Sequence, residues 1–142
     1  MTPRAGLVWA VLALALAGCG GGPSYKTAPV SGRVTVDGKP LAKASVTFVP
    51  VAGAGEKGPL PSSVGLTDAD GRYSLVFNSD SKTSGAVVGK HKVMIFLGAA
   101  AGADDTKPTF HKQLPQKYNR NTELERDVPA SGLEANFDLK WR

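Results

Sequence analysis

Residues 30–50 read VSGRVTVDGKPLAKASVTFVP, and residues 63–73 read SVGLTDADGRY. In the first stretch Val30, Gly32, Val34 and Val36 share one parity, and Ser31, Arg33 and Thr35 share the other. Successive side chains of a strand point to opposite faces, so this alternation predicts a half-buried strand. Asp37-Gly38 follows at once. Glycine tolerates positive φ and aspartate hydrogen-bonds its own backbone, so the chain is expected to reverse there. Pro40 has no N–H to offer a ladder, which favours a loop or a strand entry. Ala44, Val46 and Phe48 then alternate with Ser45, Thr47 and Val49 up to Pro50. In the second stretch Val64 and Leu66 lead into Thr67-Asp68-Ala69-Asp70-Gly71. Tyr73, Leu75 and Phe77 alternate beyond it with Arg72, Ser74 and Val76. That is again strand, tight turn, strand.

Further along, residues 51–61 and 78–85 are rich in Gly, Pro, Ser and Asp and read as mobile loops. Residues 90–97, KHKVMIFL, form the next strand, with His91, Val93, Ile95 and Leu97 on one parity and Lys92, Met94 and Phe96 on the other. Both parities turn apolar towards its end, which predicts a strand covered on both faces. The alternative is an exposed Phe96, an invitation to a partner. Residues 98–109 read as a long solvated loop. Leu124 and Val128 suit a strand after Thr122. Leu133, Ala135, Phe137, Leu139 and Trp141 alternate against Glu134, Asn136, Asp138, Lys140 and Arg142, the cleanest alternation in the chain. This is the expected closing strand, with Phe137 in the core. Seven strands in one domain of this length bury enough surface to need no covalent staple.

The run of a Gly-Val strand, D-G-K-P-L-x-x-A-x-V and T-D-x-D-G-x-Y resembles the carboxypeptidase regulatory-like domain, a relative of transthyretin-like and Cna-B-like sandwiches. The resemblance covers residues 30–97 well and the remainder more loosely. It implies an all-β fold, a seven-stranded Greek-key β-sandwich of transthyretin (prealbumin) type over residues 30–142. Such sandwiches host unrelated roles, so the fold by itself carries no activity. The run P-x-K-Y-N, T-x-L and N-F-D-L near the C-terminus resembles small bacterial envelope lipoproteins.

The N-terminus has a different character. Met1 to Arg4 carry a positive charge, residues 7–17 are apolar without interruption, and small residues close the segment before Cys19. A charged start, a short apolar run and a small-residue exit describe a secretory signal peptide over residues 1–18. The apolar run is short for a membrane-spanning helix. Leu16-Ala17-Gly18-Cys19 resembles the bacterial lipobox, which implies that the signal is cut before Cys19 and that Cys19 is lipidated. The alternative is a plain signal peptide, or a buried helix, with an incidental cysteine. The resemblance further implies an extracytoplasmic, membrane-anchored protein. Gly20 stands where an Asp tends to retain lipoproteins at the inner membrane, so the outer membrane is favoured in a double-membraned bacterium. Residues 19–29 then read as a lipidated cysteine and a glycine-rich flexible tether. Cys19 is the only cysteine, so no intramolecular disulfide can form.

Candidate chemistry is sparse. Asp68-Ala69-Asp70-Gly71 resembles the start of a calcium loop, but its glycine comes early and Arg72 follows it; a turn accounts for the residues. His91 and His111 are the only histidines and stand in no motif spacing. Tyr73, Tyr118, His91 and His111 supply the ligand types of sandwich iron dioxygenases without that family's close histidine pair. The histidine-arginine-histidine set and C-terminal Tyr-Arg-Gly-Ser of transthyretin-like hydrolases are missing. Lys43 or Lys92 with Asn136 is the pairing an isopeptide bond would need, although Asn136 falls on a polar parity. No catalytic residue, metal or cofactor is therefore assigned, and the chain is read as no enzyme. The net charge of +5 is spread among acids rather than gathered into a nucleic-acid footprint. What remains is a non-catalytic binding or structural module of the cell envelope, held to the membrane by lipid on Cys19 and meeting an envelope protein or polysaccharide. The alternatives are a carbohydrate or cell-wall-polymer binder, with Tyr118 and Trp141 as stacking aromatics, although Trp141 falls on the core parity, and an envelope enzyme.

Overall fold

The computed structural model describes residues 25–53, 58–98 and 114–142. Residues 1–18, Cys19, His111 and nearly all of the loop expected at 98–109 lie outside them. The strands are β1 Thr27–Ala28, β2 Val30–Val36, β3 Lys39–Pro40, β4 Ala44–Pro50, β5 Ser63–Leu66 and β6 Arg72–Ser74. They continue with β7 Val76–Phe77, β8 Ala86–Val87, β9 Gly89–Leu97, β10 Glu125–Val128, β11 Leu133–Glu134 and β12 Phe137–Leu139. A single 3₁₀ turn, Gln116–Tyr118, is the one helical element among the described residues. The protein is all-β.

One sheet runs β10-β9-β4-β5-β7. A second is built on β2, with β11 and β12 along one side and β3 and β6 along the other, and β1 pairs with β8 as a small third sheet. β11 and β12 run parallel to β2, while β3 and β6 run antiparallel to it. The inner faces of the two large sheets meet in one core, in the manner of a β-sandwich. Val34, Val36, Phe137 and Leu139 come from one sheet and Val46, Phe48, Val93 and Ile95 from the other. The Phe48 and Phe137 rings meet edge to face across the interface, centroids 6.4 Å apart. Arg126, on the edge strand β10, lays its guanidinium over the Phe137 ring at 4.5 Å.

Local chemistry explains the turns. Asp37 and Gly38 take φ values of 49° and 80°, both positive, as a two-residue hairpin that follows the strand twist requires. β3 is its returning arm, with Pro40 opposite Thr35. The second turn is held by Asp68, whose Oδ1 accepts the N–H groups of Asp70 and Arg72, each at 2.9 Å.

Two expectations are corrected, for residues 26–29 and for β9, and the structure adds detail on β5 and at residues 78–85. Residues 26–29 are not free tether: Thr27 and Ala28 pair with Val87 and Ala86, and the Lys26 carbonyl accepts the Val88 N–H at 2.8 Å. The fold thus starts before residue 30, on a ladder too short to leave a periodic trace. On β5 it is Ser63 and Gly65 that face the core, because Ser63 stands opposite Phe48; Leu66 stands opposite Ser45 and is 70 % exposed. β9 is covered on one face only. Phe96 is 38 % exposed, as in the alternative reading; β10 pairs β9 only as far as Lys92, so at Phe96 the strand pairs with β4 alone among the described residues. Residues 78–85 form a built turn, in which Asp80 accepts from the Lys82 N–H at 2.9 Å and the Thr83 hydroxyl at 2.7 Å.

Residues 72–77 bend at the buried Leu75, so β6 joins the β2 sheet while β7 joins the β5 edge of the other. One continuous segment therefore stitches the two sheets together.

Candidate functional site

Alternation on β2 sends Ser31, Arg33 and Thr35 away from the core. The same parity on β11, β12 and the residues between them turns out Glu134, Asn136 and Asp138, and β6 turns out Arg72 and Ser74. Register aligns these side chains in rows: Glu134, Ser31 and Ser74 in one, Arg33 opposite Arg72 in the next, Asp138 beside Thr35 in the third. Together they line an open polar groove of about 600 Å³.

The groove is tied together internally. The Arg33 N–H donates to Asn136 Oδ1 and the Arg33 Nε–H to the Asp70 carbonyl, both at 2.9 Å. Asn136 Nδ2 donates to Glu134 Oε1 at 3.3 Å, and the Thr35 hydroxyl donates to Asp138 Oδ1. Beneath it the backbone packs too closely for a side chain at Gly32. A Cβ there would sit 1.8 Å from the Ala135 carbonyl oxygen. That oxygen accepts the buried Tyr73 hydroxyl at 2.6 Å. Burial pushes the Tyr73 phenol well above its ordinary range, with nearby Arg126 pulling more weakly the other way. Tyr73 is therefore a neutral donor that holds the groove's floor. The groove offers guanidinium and hydroxyl donors beside carboxylate and amide acceptors, which suits hydrogen bonding to a polar ligand. It contains no histidine or cysteine to serve as base or nucleophile.

The residues singled out from the sequence fall elsewhere and apart. His91 is 1 % exposed on the inner face of β9, with its ring 5.7 Å from that of Phe48. Its Nδ1 lies 2.9 Å from the Gly89 carbonyl and so carries the proton, and Nε2 has no hydrogen-bond partner among the described residues. Tyr118 is buried rather than available for stacking; its hydroxyl accepts the Lys140 N–H at 3.1 Å. Trp141 is half-buried against the core. Tyr73, Tyr118 and His91 thus serve three different places. Asp68 spends its carboxylate on the backbone of its own turn. Asn136 is engaged with Arg33 on the outer face of one sheet, whereas Lys92 points outward from the other. Among the described residues no three His, Cys, Asp or Glu side chains gather at metal-binding distance. Sequence reasoning missed the groove because its two flanks, residues 31–35 and 134–138, are 103 positions apart and meet only through the parallel pairing.

Compared with protein-family models, curated proteins and solved structures, the chain has no significant match to any of them.

Proposed function

We propose that this is a non-catalytic lipoprotein of the bacterial envelope, a β-sandwich held outside the cytoplasm by lipid on Cys19. The observation that carries the reading is the order of parts at the N-terminus. Arg4, the apolar run 7–17 and Leu16-Ala17-Gly18-Cys19 precede a glycine-rich stretch, and the β-sandwich follows it. Each buried methylene stabilises membrane binding by about 0.8 kcal/mol, and stable anchoring takes more than one chain. A diacylglyceryl cysteine with a further N-acyl group passes that threshold.

Topology supports the finer assignment to a seven-stranded, Greek-key, transthyretin-like sandwich of the carboxypeptidase regulatory-like kind. Segments that continue one another across a bend combine into seven strands: 27–36, 44–50, 63–66, 72–77, 86–97, 125–128 and 133–139, with β3 as a hairpin stub. Strand 44–50 lies between 63–66 and 86–97, a non-consecutive neighbour of the kind a Greek key produces. The non-catalytic reading is supported by His91, which is buried on the inner face of β9 and does not line the groove. A double-membraned host would carry the protein on its outer membrane, since Gly20 follows the cysteine.

Detergent phase separation tests the anchor. The wild type enters the detergent phase and Cys19→Ser stays aqueous; an aqueous wild type overturns the proposal. The polar groove favours one second reading, a binder of hydroxyl-rich wall polymer, and retention on immobilised polysaccharide that is lost in Arg33→Ala distinguishes it.

A further inference from the structure

Where the chain enters the fold decides which end of the sandwich meets the membrane. Tyr25 is fixed there by its ring, 5.7 Å from that of Phe77. Beside it opens a cleft of about 490 Å³ whose apolar wall is Tyr25 and the corner Pro59, Leu60 and Pro61. The corner is tied to the rest of that end, for the Asn78 N–H donates to the Ser62 carbonyl at 3.0 Å. Val51 projects at the same end, 41 % exposed, its N–H bonded to the Lys90 carbonyl at 2.8 Å. Prolines, a leucine, a valine and a tyrosine make an apolar rim with one amphipathic ring. Aromatic rings of that kind settle at headgroup level.

Six residue steps separate Cys19 from Tyr25. Even fully extended they reach only on the order of 20 Å. The opposite end of the domain, at Ala42 and Lys43, lies about 25 Å of strand away along β4. A lipid on Cys19 therefore brings the Tyr25 end to the bilayer long before the other. Lys26 and Lys90 are exposed at this end and suit anionic headgroups, although Asp127 stands opposite Lys90 and offsets one of them.

We propose that the Tyr25, Val51 and Pro59-Leu60-Pro61 rim docks onto the lipid surface, with Tyr25 and Leu60 in the headgroup layer. This orientation rests on the lipidation of Cys19. It turns the Ala42 end outward and leaves the polar groove on a side wall, open to the aqueous phase.

The lone cysteine makes the test clean, because lipidation consumes the only native thiol. Leu60→Cys and Ala42→Cys, each in the lipidated full chain, take an environment-sensitive fluorophore. The proteins are then placed on vesicles of zwitterionic and anionic phospholipid, with and without a shallow spin-labelled quencher lipid. The label at 60 is expected to lose about half its emission to the lipid-borne quencher, as a group in the interfacial layer does, and the label at 42 to lose little. Vesicle-bound protein quenched equally at both positions, or at neither, overturns the docking while the anchor stands. A label at 60 shielded from aqueous iodide yet untouched by the lipid quencher assigns the rim to a second copy of the chain, and likewise overturns it. Failure to float with vesicles at all removes the anchor, and the orientation with it.

Discussion

His91 is the residue at which this fold meets proton chemistry. It lies against Phe48 with Pro50 opposite on β4 and Arg126 opposite on β10; Lys90 and Lys92 flank it in the chain. Burial holds its pKa below the ordinary 6.5, and the Gly89 carbonyl and Asp127 carboxylate oppose that shift without cancelling it. Well above the ordinary pKa both folded and unfolded chains keep the imidazole neutral, and the residue adds no pH dependence. As the pH falls through that value the unfolded chain takes up a proton that the folded chain resists. Stability is therefore lost across the window from the ordinary value down to the lower, folded one. The melting temperature of the wild type should fall as the pH drops below about 6.5, and more steeply than that of His91→Gln. Parallel melting curves for the two proteins would show that His91 titrates alike in both states. Its Nε2, without a hydrogen-bond partner among the described residues, makes the residue a source of conditional stability.

At the scale of elements, the segment 72–77 matters most, because it belongs to both sheets. Tyr73 fastens it: the ring stacks on Phe137 at 6.5 Å, and the hydroxyl holds the Ala135 carbonyl at the break between β11 and β12. Tyr73→Phe keeps the ring and strips that carbonyl of the hydroxyl. A buried polar group left without its partner costs about 1–3 kcal/mol, which chemical denaturation would detect as a lower midpoint with an unchanged slope. An unchanged midpoint would mean that the carbonyl finds another donor. The strands themselves were legible where one face is buried and period two survives, as in Val30, Val34 and Val36 or Ala135, Phe137 and Leu139. Both Asp-Gly reversals were legible for the same local reason, since turn chemistry acts within four residues. The two-residue strands β1 and β8 were not, because so short a ladder has no period. Nor was the outward aim of Leu66, which depends on its pairing with Ser45. The groove belongs to the same class: each flank reads as an ordinary solvated parity, and only the pairing of distant strands makes them one surface. Tyr118 misled because a tyrosine near the C-terminus reads as exposed until a 3₁₀ turn tucks it under Lys140.

At the scale of the molecule, the parts have separable tasks. The core of Phe48, Phe137, Val93 and their neighbours keeps the sandwich folded without a disulfide. In the orientation we propose, the apolar rim at Tyr25 faces the lipid, and the polar wall of β2, β6 and β12 faces the aqueous phase. That proposed orientation, unlike the core, depends on lipidation of Cys19. The most direct test is the intact mass of the protein extracted from the membranes of a bacterial host. The expected mass is that of residues 19–142 plus a diacylglyceryl group and a further acyl chain on the cysteine. The unmodified mass of residues 1–142, or of any fragment carrying a free Cys19 thiol, would contradict the anchor and the orientation built on it.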